Sequence, residues 1–116
     1  MAEPTLTPAL QQQLAQLQQQ NAQLQATAQQ RAQFEAMKAE GEQALQALEA
    51  LGDDAPVYRS VGAFLVKEAG KGAAVARLKE DQETLEIRIA RLQKQEAALR
   101  DSMQSLQQKL QGALKG

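Results

Sequence analysis

The chain has 116 residues, with 13 Lys and Arg against 14 Asp and Glu, and it contains neither histidine nor cysteine. Without these two residue types the commonest catalytic bases, nucleophiles, transition-metal ligands and all disulfides are missing, so we expect no enzyme, no metal site and no cofactor. A formal net charge of −1 gives no general attraction to nucleic acid or to anionic lipid, so neither is an expected partner.

The opening segment, MAEPTLTPAL, bears on where the protein works. It carries an acid and two prolines but neither a basic region nor an apolar run, so it is not typical of a signal peptide. No later stretch approaches the roughly 18 apolar residues that a membrane-spanning helix needs. We therefore expect a cytoplasmic protein that does not enter the membrane.

A long first helix is predicted over about 9–51, because apolar residues recur at heptad spacing among good helix formers. The register slips by three residues near Arg31. Gly52 follows the last periodic residue, where a glycine commonly ends a helix, and Pro56 opposes continuation. The predicted inward positions are Leu10, Leu14, Leu17, Asn21, Leu24, Ala28, Phe34, Met37, Gly41, Ala44, Leu48 and Leu51.

The central stretch VYRSVGAFLVK, residues 57–67, concentrates β-branched and aromatic residues and predicts a β-hairpin with Gly62 in its turn. Two strands alone are marginal in water, and their edges and apolar side chains would stay uncovered. Two interpretations follow from the residues. The hairpin either packs back on the helix ends as a local loop, or pairs edge to edge with hairpins of other chains to close a sheet or barrel.

A second long helix is predicted over about 73–114, where seam residues alternate steps of three and four with little interruption. Only Gln82 and Glu96 put polar side chains into this heptad pattern, which is a strong coiled-coil signal. The predicted seam is Val75, Leu78, Gln82, Leu85, Ile89, Leu92, Glu96, Leu99, Met103, Leu106, Leu110 and Ala113.

The two helices have equal predicted lengths, so we expect one to fold back on the other about the hairpin. This reversal sets Gly41 opposite Gln82 and brings Arg31 within diagonal reach of Glu96. Polar layers of this kind reduce stability but can fix the register. The predicted fold class is mainly α: one domain, 1–116, formed by a long antiparallel two-helix coiled coil with a central β-hairpin.

The segment DDAPVYRSVGAFLVK, followed by LKEDQETLEIRIARLQKQEAALRDSMQSLQQKL, resembles the beta type of the prefoldin family. The resemblance is specific from about Ala44 onward, whereas the first helix adds a compatible Gln- and Leu-rich pattern. It implies that the hairpin pairs with other subunits in a β-barrel. It also implies a hexamer, formed with an alpha-type prefoldin subunit or by self-association. The implied activity is that of an ATP-independent chaperone, which holds unfolded client proteins at its coiled-coil tips and can pass them to a group II chaperonin.

Two sets of candidate site residues follow. At the tips, fraying of the helix ends would expose leucines to clients. Each leucine taken singly is at least as well explained as a seam residue that only packs the two helices together. This client-binding set is Leu6, Leu10, Leu14, Leu17, Met103, Leu106, Leu110 and Leu114. The subunit-assembly set is Val57, Tyr58, Val61, Phe64, Val66 and Ile87. Ile87 lies off the seam, where a lone exposed isoleucine is ordinary, but it could also pack under a neighbouring hairpin.

Two other functions remain open on the residues alone. A structural coiled-coil adaptor would bind one defined protein partner through its tips and ignore unfolded chains. An RNA-binding coiled-coil arm would use the basic residues of the second helix, but acidic residues interleave with them throughout, so this function ranks last.

Overall fold

A computed structural model of the chain describes residues 7–115. Its elements are α1 (Pro8–Glu49), β1 (Tyr58–Val61), β2 (Phe64–Lys67) and α2 (Lys71–Lys115). Two long helices with a central antiparallel hairpin make a mainly α fold, and the predicted fold class is confirmed to that extent.

By its internal contacts the described chain divides into two compact units. The hairpin unit is Gln33–Ile89 and holds the strands with the adjoining parts of both helices. The terminal unit consists of the described residues up to Ala32 and from Ala90 onward.

Helix α1 has a regular beginning. The Thr7 hydroxyl accepts a hydrogen bond from the backbone N–H of Leu10 at 3.1 Å, as expected of an N-cap residue. Pro8 occupies the first helical position, where a residue without an N–H loses nothing. These two residues explain why the helix starts where it does.

The end of α1 differs from the prediction. Glu49 is its last residue, and Gly52 does not adopt the positive φ of a glycine helix stop. A short turn closes instead with the Leu51 N–H donating to the Leu48 carbonyl at 3.1 Å. The Lys71 ammonium, which comes from the start of α2, donates to the carbonyl of Leu51 at 2.7 Å and to that of Glu49 at 3.4 Å. A cation at a helix C-terminus is favourable, so the glycine is not needed as a stop.

The hairpin has a simple register. Tyr58 pairs with Lys67 at its open end and Val61 with Phe64 at its closed end, which leaves Gly62 and Ala63 as the turn. Gly62 has φ +58°, whereas Ala63 has no positive φ. A positive φ confined to the first turn residue is the type II′ pattern, whose twist matches that of paired strands. The predicted role of Gly62 is confirmed.

Helix α2 presents the predicted seam. Its positions from Val75 to Leu110 are all buried or half-buried, and Ala113 is exposed. The buried members are Gln82, Leu85, Ile89, Leu92, Glu96, Leu106 and Leu110. A strict heptad of this kind turns one stripe of the helix to its partner, and most of the chain's small core lies on that stripe.

Helix α1 faces inward along a different path from the predicted one. Met37 and Leu51, which were expected in the seam, are exposed, and Asn21 is exposed as well. Steps of three and four alternate regularly from Leu17 to Leu48, so the slip near Arg31 was wrong. The positions of this run are all buried or half-buried: Leu17, Gln20, Leu24, Thr27, Arg31, Phe34, Lys38, Gly41, Leu45 and Leu48. The predicted Ala28 and Ala44 are half-buried beside them.

Within each unit the helices run antiparallel. In the terminal unit Gln20 contacts Ser102, while the later residue Arg31 contacts the earlier residue Glu96. In the hairpin unit the Lys38 carbonyl accepts a hydrogen bond from Gln82. The later residue Glu49 is contacted by the earlier residue Lys71, so the chain order is again reversed.

Candidate functional site

The hairpin leaves every strand residue exposed. Side chains alternate along a strand, and the observed register groups them into two faces. One face carries Arg59, Val61, Phe64 and Val66, and the other carries Tyr58, Ser60, Leu65 and Lys67. The predicted assembly residues Val61, Phe64 and Val66 are thus brought together on one face, and Tyr58 lies on the opposite one.

Both faces of the hairpin carry large apolar surface. Phe64 and Leu65 are each 74% exposed, although they are adjacent and lie on opposite faces. Leu65 was not among the predicted assembly residues, although its place directly after Phe64 in a predicted strand indicated that both faces are apolar. A two-stranded sheet with such faces is marginal alone, and among residues 7–115 no third strand covers either edge. The hairpin therefore has the chemistry of a surface that other strands or apolar groups would cover.

Two further predicted assembly residues lie outside the strands. Val57 is half-buried, and its carbonyl accepts the N–H of Glu68 at 2.8 Å, which extends the hairpin ladder by one step. Ile87 is 61% exposed on α2, away from the seam. Ile87 is thus available for contact with another chain and is not part of the buried core.

Side chains of opposite charge join the hairpin to α2. The Glu68 carboxylate, just after β2, accepts a hydrogen bond from the Arg77 guanidinium on α2 at 2.8 Å, and Arg59 on β1 lies 3.8 Å from the same oxygen. Arg77 also reaches Asp81 one turn further along α2 at 3.3 Å. Sequence periodicity contains no signal for this joint, because it depends on how the chain turns between β2 and α2.

The terminal unit contains the predicted client-binding residues, with one exception: Leu6 lies outside the described residues. Leu106 and Leu110 are buried in the seam, and Leu114 is 60% exposed. The half-buried members are Leu10, Leu14, Leu17 and Met103. Contact of Leu106 or Leu110 with another polypeptide would require the helices to separate locally, whereas the half-buried leucines and Leu114 already present apolar surface.

A charged layer interrupts the apolar seam of this unit. Glu96 is only 3% exposed, and its carboxylate accepts a hydrogen bond from Arg31 at 2.6 Å while Arg100 lies 3.7 Å away. Gln20 donates to the Ser102 hydroxyl at 2.9 Å in a second polar contact. The predicted approach of Arg31 to Glu96 is confirmed, and a buried carboxylate without this partner would be costly.

The hairpin unit has a polar layer of a different kind. The Gln82 amide is buried and donates to the Lys38 carbonyl at 2.8 Å. Gly41 makes room for it, since a Cβ on that glycine would lie 2.8 Å from the Gln82 side-chain carbon. The predicted pairing of Gly41 with Gln82 is confirmed. Nearby, the Arg88 guanidinium stands 5.6 Å from the centre of the Phe34 ring, within cation–π range.

Residues 7–115 contain no group of three or more acidic side chains placed to hold a metal ion. Within the same residues, neither helix has a stretch apolar enough to cross a bilayer.

The geometry defines a class of protein: a chain with two long seam-forming helices joined by a short hairpin whose faces and edges are open among residues 7–115. A family model described as prefoldin subunit matches residues 11–116. The chain belongs to the prefoldin subunit family, a family of chaperones rather than enzymes.

Individual relatives agree with this assignment. The prefoldin subunit beta of Archaeoglobus fulgidus is 50% identical over 109 residues, which cover 94% of this chain and 93% of the relative. That of Methanosarcina acetivorans is 45% identical over 94% of this chain and 92% of the relative. The crystal structure of the prefoldin beta subunit from Thermococcus strain KS-1 is similar to the present one, with a TM-score of 0.87 and 38% identity over 98% of this chain and 99% of that chain. The beta2 subunit from the same strain, 20% identical with a TM-score of 0.71 over 79% of this chain and 97% of that chain, shares the fold.

Proposed function

We propose that this chain is a subunit of an ATP-independent holdase that assembles through its hairpin and binds unfolded polypeptides through the terminal unit. The observation that carries the proposal is the exposed hairpin of a prefoldin-family chain, with large apolar side chains on both faces. Burial of one such side chain contributes about 1.5–3 kcal/mol, so several together can hold subunits in one complex.

Assembly is the first part of the proposal. Hairpins of several chains pair edge to edge in a β-barrel, with Val61, Phe64 and Val66 on one side of the sheet and Tyr58 and Leu65 on the other. The product is a hexamer, built with an alpha-type prefoldin subunit or by self-association. Support comes from the family, the open edges and the lack of apolar cover within the described chain.

Client binding is the second part. The half-buried Leu10, Leu14 and Leu17, together with the exposed Leu114, offer small apolar patches beside polar glutamines. Each patch binds an unfolded segment weakly, and several subunits in one complex strengthen binding through effective concentration. The complex works in the cytoplasm and can transfer clients to a group II chaperonin, as the family resemblance implies.

The first experiment measures the solution mass of the chain, alone and with a co-expressed alpha-type subunit, by light scattering after size exclusion. A Phe64→Asp, Val66→Asp variant should shift the mass from about six subunits to small species. A Phe64→Thr, Val66→Thr variant keeps β propensity while removing apolar area. It therefore distinguishes the loss of apolar contact between subunits from the loss of the strand itself. Leu114→Asp, at comparable exposure but in the terminal unit, should leave the mass unchanged.

The second experiment follows the aggregation of a chemically denatured client diluted into the assembled complex without ATP. The wild-type complex should suppress aggregation at near-stoichiometric ratios, and Leu114→Asp should weaken suppression without altering the mass. A complex of the expected mass that gives no protection would refute the holdase. Saturable binding of a single folded partner would then favour the structural adaptor.

A further inference from the structure

The hairpin is attached to the helices with its strands exposed. Its eight strand residues are all exposed, so none of them is buried against the helices of the described chain. Only residues 68–70 separate β2 from α2. Gly70 adopts φ +151°, a region that glycine reaches far more easily than other residues. The covalent connection alone thus includes a residue with wide conformational freedom.

Glu68 counteracts that freedom at three points. Its carboxylate is bound by Arg77 of α2 at 2.8 Å and lies 3.8 Å from Arg59 of β1. Its backbone N–H donates to the Val57 carbonyl at 2.8 Å, on the opposite side of the hairpin. One residue therefore contacts both sides of the hairpin base and the helix that follows.

The Glu68 carboxylate is shielded from water more than that of an ordinary surface ion pair. The Glu68 side chain is 14% exposed, and those of Arg77 and Arg59 are 31% and 44% exposed. A charge-assisted hydrogen bond to a planar guanidinium fixes orientation as well as distance, and partial burial limits screening by salt. Arg77 is itself steadied on its helix by Asp81 at 3.3 Å.

We propose that Glu68 is a positioning residue that fixes the direction of the hairpin on the helix pair through Arg77 and Arg59. The consequence for assembly rests on the proposed function. A hairpin held in one direction presents its edges in the geometry that partner hairpins require, whereas a swinging hairpin must lose that freedom on each association. Neutralising Glu68 raises the concentration at which the complex dissociates by about tenfold, which corresponds to about 1.4 kcal/mol.

The test measures the direction of the hairpin directly. The chain has no cysteine, so Ala63→Cys in the turn and Glu80→Cys on α2 give two unique spin-label sites within the hairpin unit. The distance distribution between the labels is measured by pulsed electron resonance on the full chain before assembly, at a concentration where light scattering shows a monomer, because partner hairpins in a complex would themselves hold the hairpin in one direction. We expect Glu68→Gln to broaden this distribution, and Glu86→Gln to leave it unchanged. Glu86, whose side chain is 58% exposed, forms an ion pair with Lys38 at 3.5 Å on the helices rather than on the hairpin, so it is the matched control.

A double-variant cycle identifies the partner. Arg77→Gln should broaden the distribution as Glu68→Gln does, and the two changes together should add little, because they remove the same contact. An unchanged width in Glu68→Gln, or effects of the two changes that simply add, would overturn the proposal. A lower melting temperature of the helices with an unchanged width would assign Glu68 a stabilising role only.

A failure of the positioning role can be distinguished from a failure of the proposed assembly. A wild-type chain that never assembles, but whose hairpin is loosened by Glu68→Gln, refutes assembly and keeps the positioning role. A wild-type chain that forms a complex of the expected mass, but whose hairpin in the unassembled state is unaffected by Glu68→Gln, keeps assembly and refutes the positioning role.

Discussion

Neutralising the buried carboxylate of the terminal unit should destabilise the helix pair, whereas replacing the whole ion pair should not. Glu96→Gln keeps the size of the side chain and an acceptor oxygen but removes the charge that meets Arg31 at 2.6 Å. Hydrogen bonds to charged groups contribute about 1.5–3 kcal/mol. Because the Arg31 side chain is 26% exposed and can regain water, we expect the lower end, about 1.5–2 kcal/mol.

Replacing both residues of the ion pair should have the opposite effect on the free energy of unfolding. Arg31→Leu with Glu96→Leu converts the charged layer into an apolar one between the buried Leu92 and the half-buried Leu99. Replacing a buried ion pair with apolar residues is often neutral or stabilising by about 1–4 kcal/mol, since the desolvation of both charges is avoided. The double variant should therefore be at least as stable as the wild type and clearly more stable than Glu96→Gln.

Thermal unfolding followed by circular dichroism measures both effects, at one fixed protein concentration because assembly itself raises the melting temperature. A change of 1 kcal/mol corresponds to roughly 4 °C for a chain of this size. Glu86→Gln is the control, since its ion pair with Lys38 is exposed and should contribute less than about 1 kcal/mol. A Glu96→Gln variant with the melting temperature of the wild type would refute the reasoning. A double variant less stable than Glu96→Gln would refute it as well.

Three further predictions concern packing and the turn. Leu92→Ala removes a buried seam side chain and should cost about 2–5 kcal/mol in denaturant unfolding, whereas Leu114→Ala, at 60% exposure, should change little; equal effects would contradict the seam. Gly41→Ala should destabilise the hairpin unit, because the new methyl group meets the buried Gln82 amide, and Gln82→Ala should relieve the clash in the double variant. Gly62→Val should speed amide exchange of the hairpin relative to Gly62→Asn, since a β-branched residue tolerates φ +58° poorly; matching exchange rates would count against the turn.

The sequence predicted the α2 seam correctly to Leu110 because heptad spacing is a local property that directly fixes which stripe of a helix faces its partner. The equal lengths of the helices then sufficed to pair Gly41 with Gln82 and Arg31 with Glu96, since an antiparallel fold-back has a single adjustable register. Both polar layers of the candidate site could thus be predicted from the sequence alone.

The inward path of α1 was decided by tertiary contacts. Hydropathy favoured Met37, but Met37 is exposed, whereas the neighbouring Lys38 is half-buried, with its carbonyl bound by Gln82 and its ammonium 3.5 Å from Glu86. In the same way Gln20 faces inward to meet Ser102. In a helix rich in alanine and glutamine the apolar pattern is weak, so polar partners on the opposite helix select the face.

The sequence by itself determined two heptad helices, a hairpin turn at Gly62 and an apolar central stretch, because periodicity and the conformational preference of glycine act over a few residues. Only the tertiary structure decided how that hairpin is attached: the Lys71 ammonium closes the end of α1, and Glu68 links β1 with Arg77 of α2. Such contacts join residues that no periodic pattern relates, and they form only once the turns between strands and helices have set the distances between charged groups.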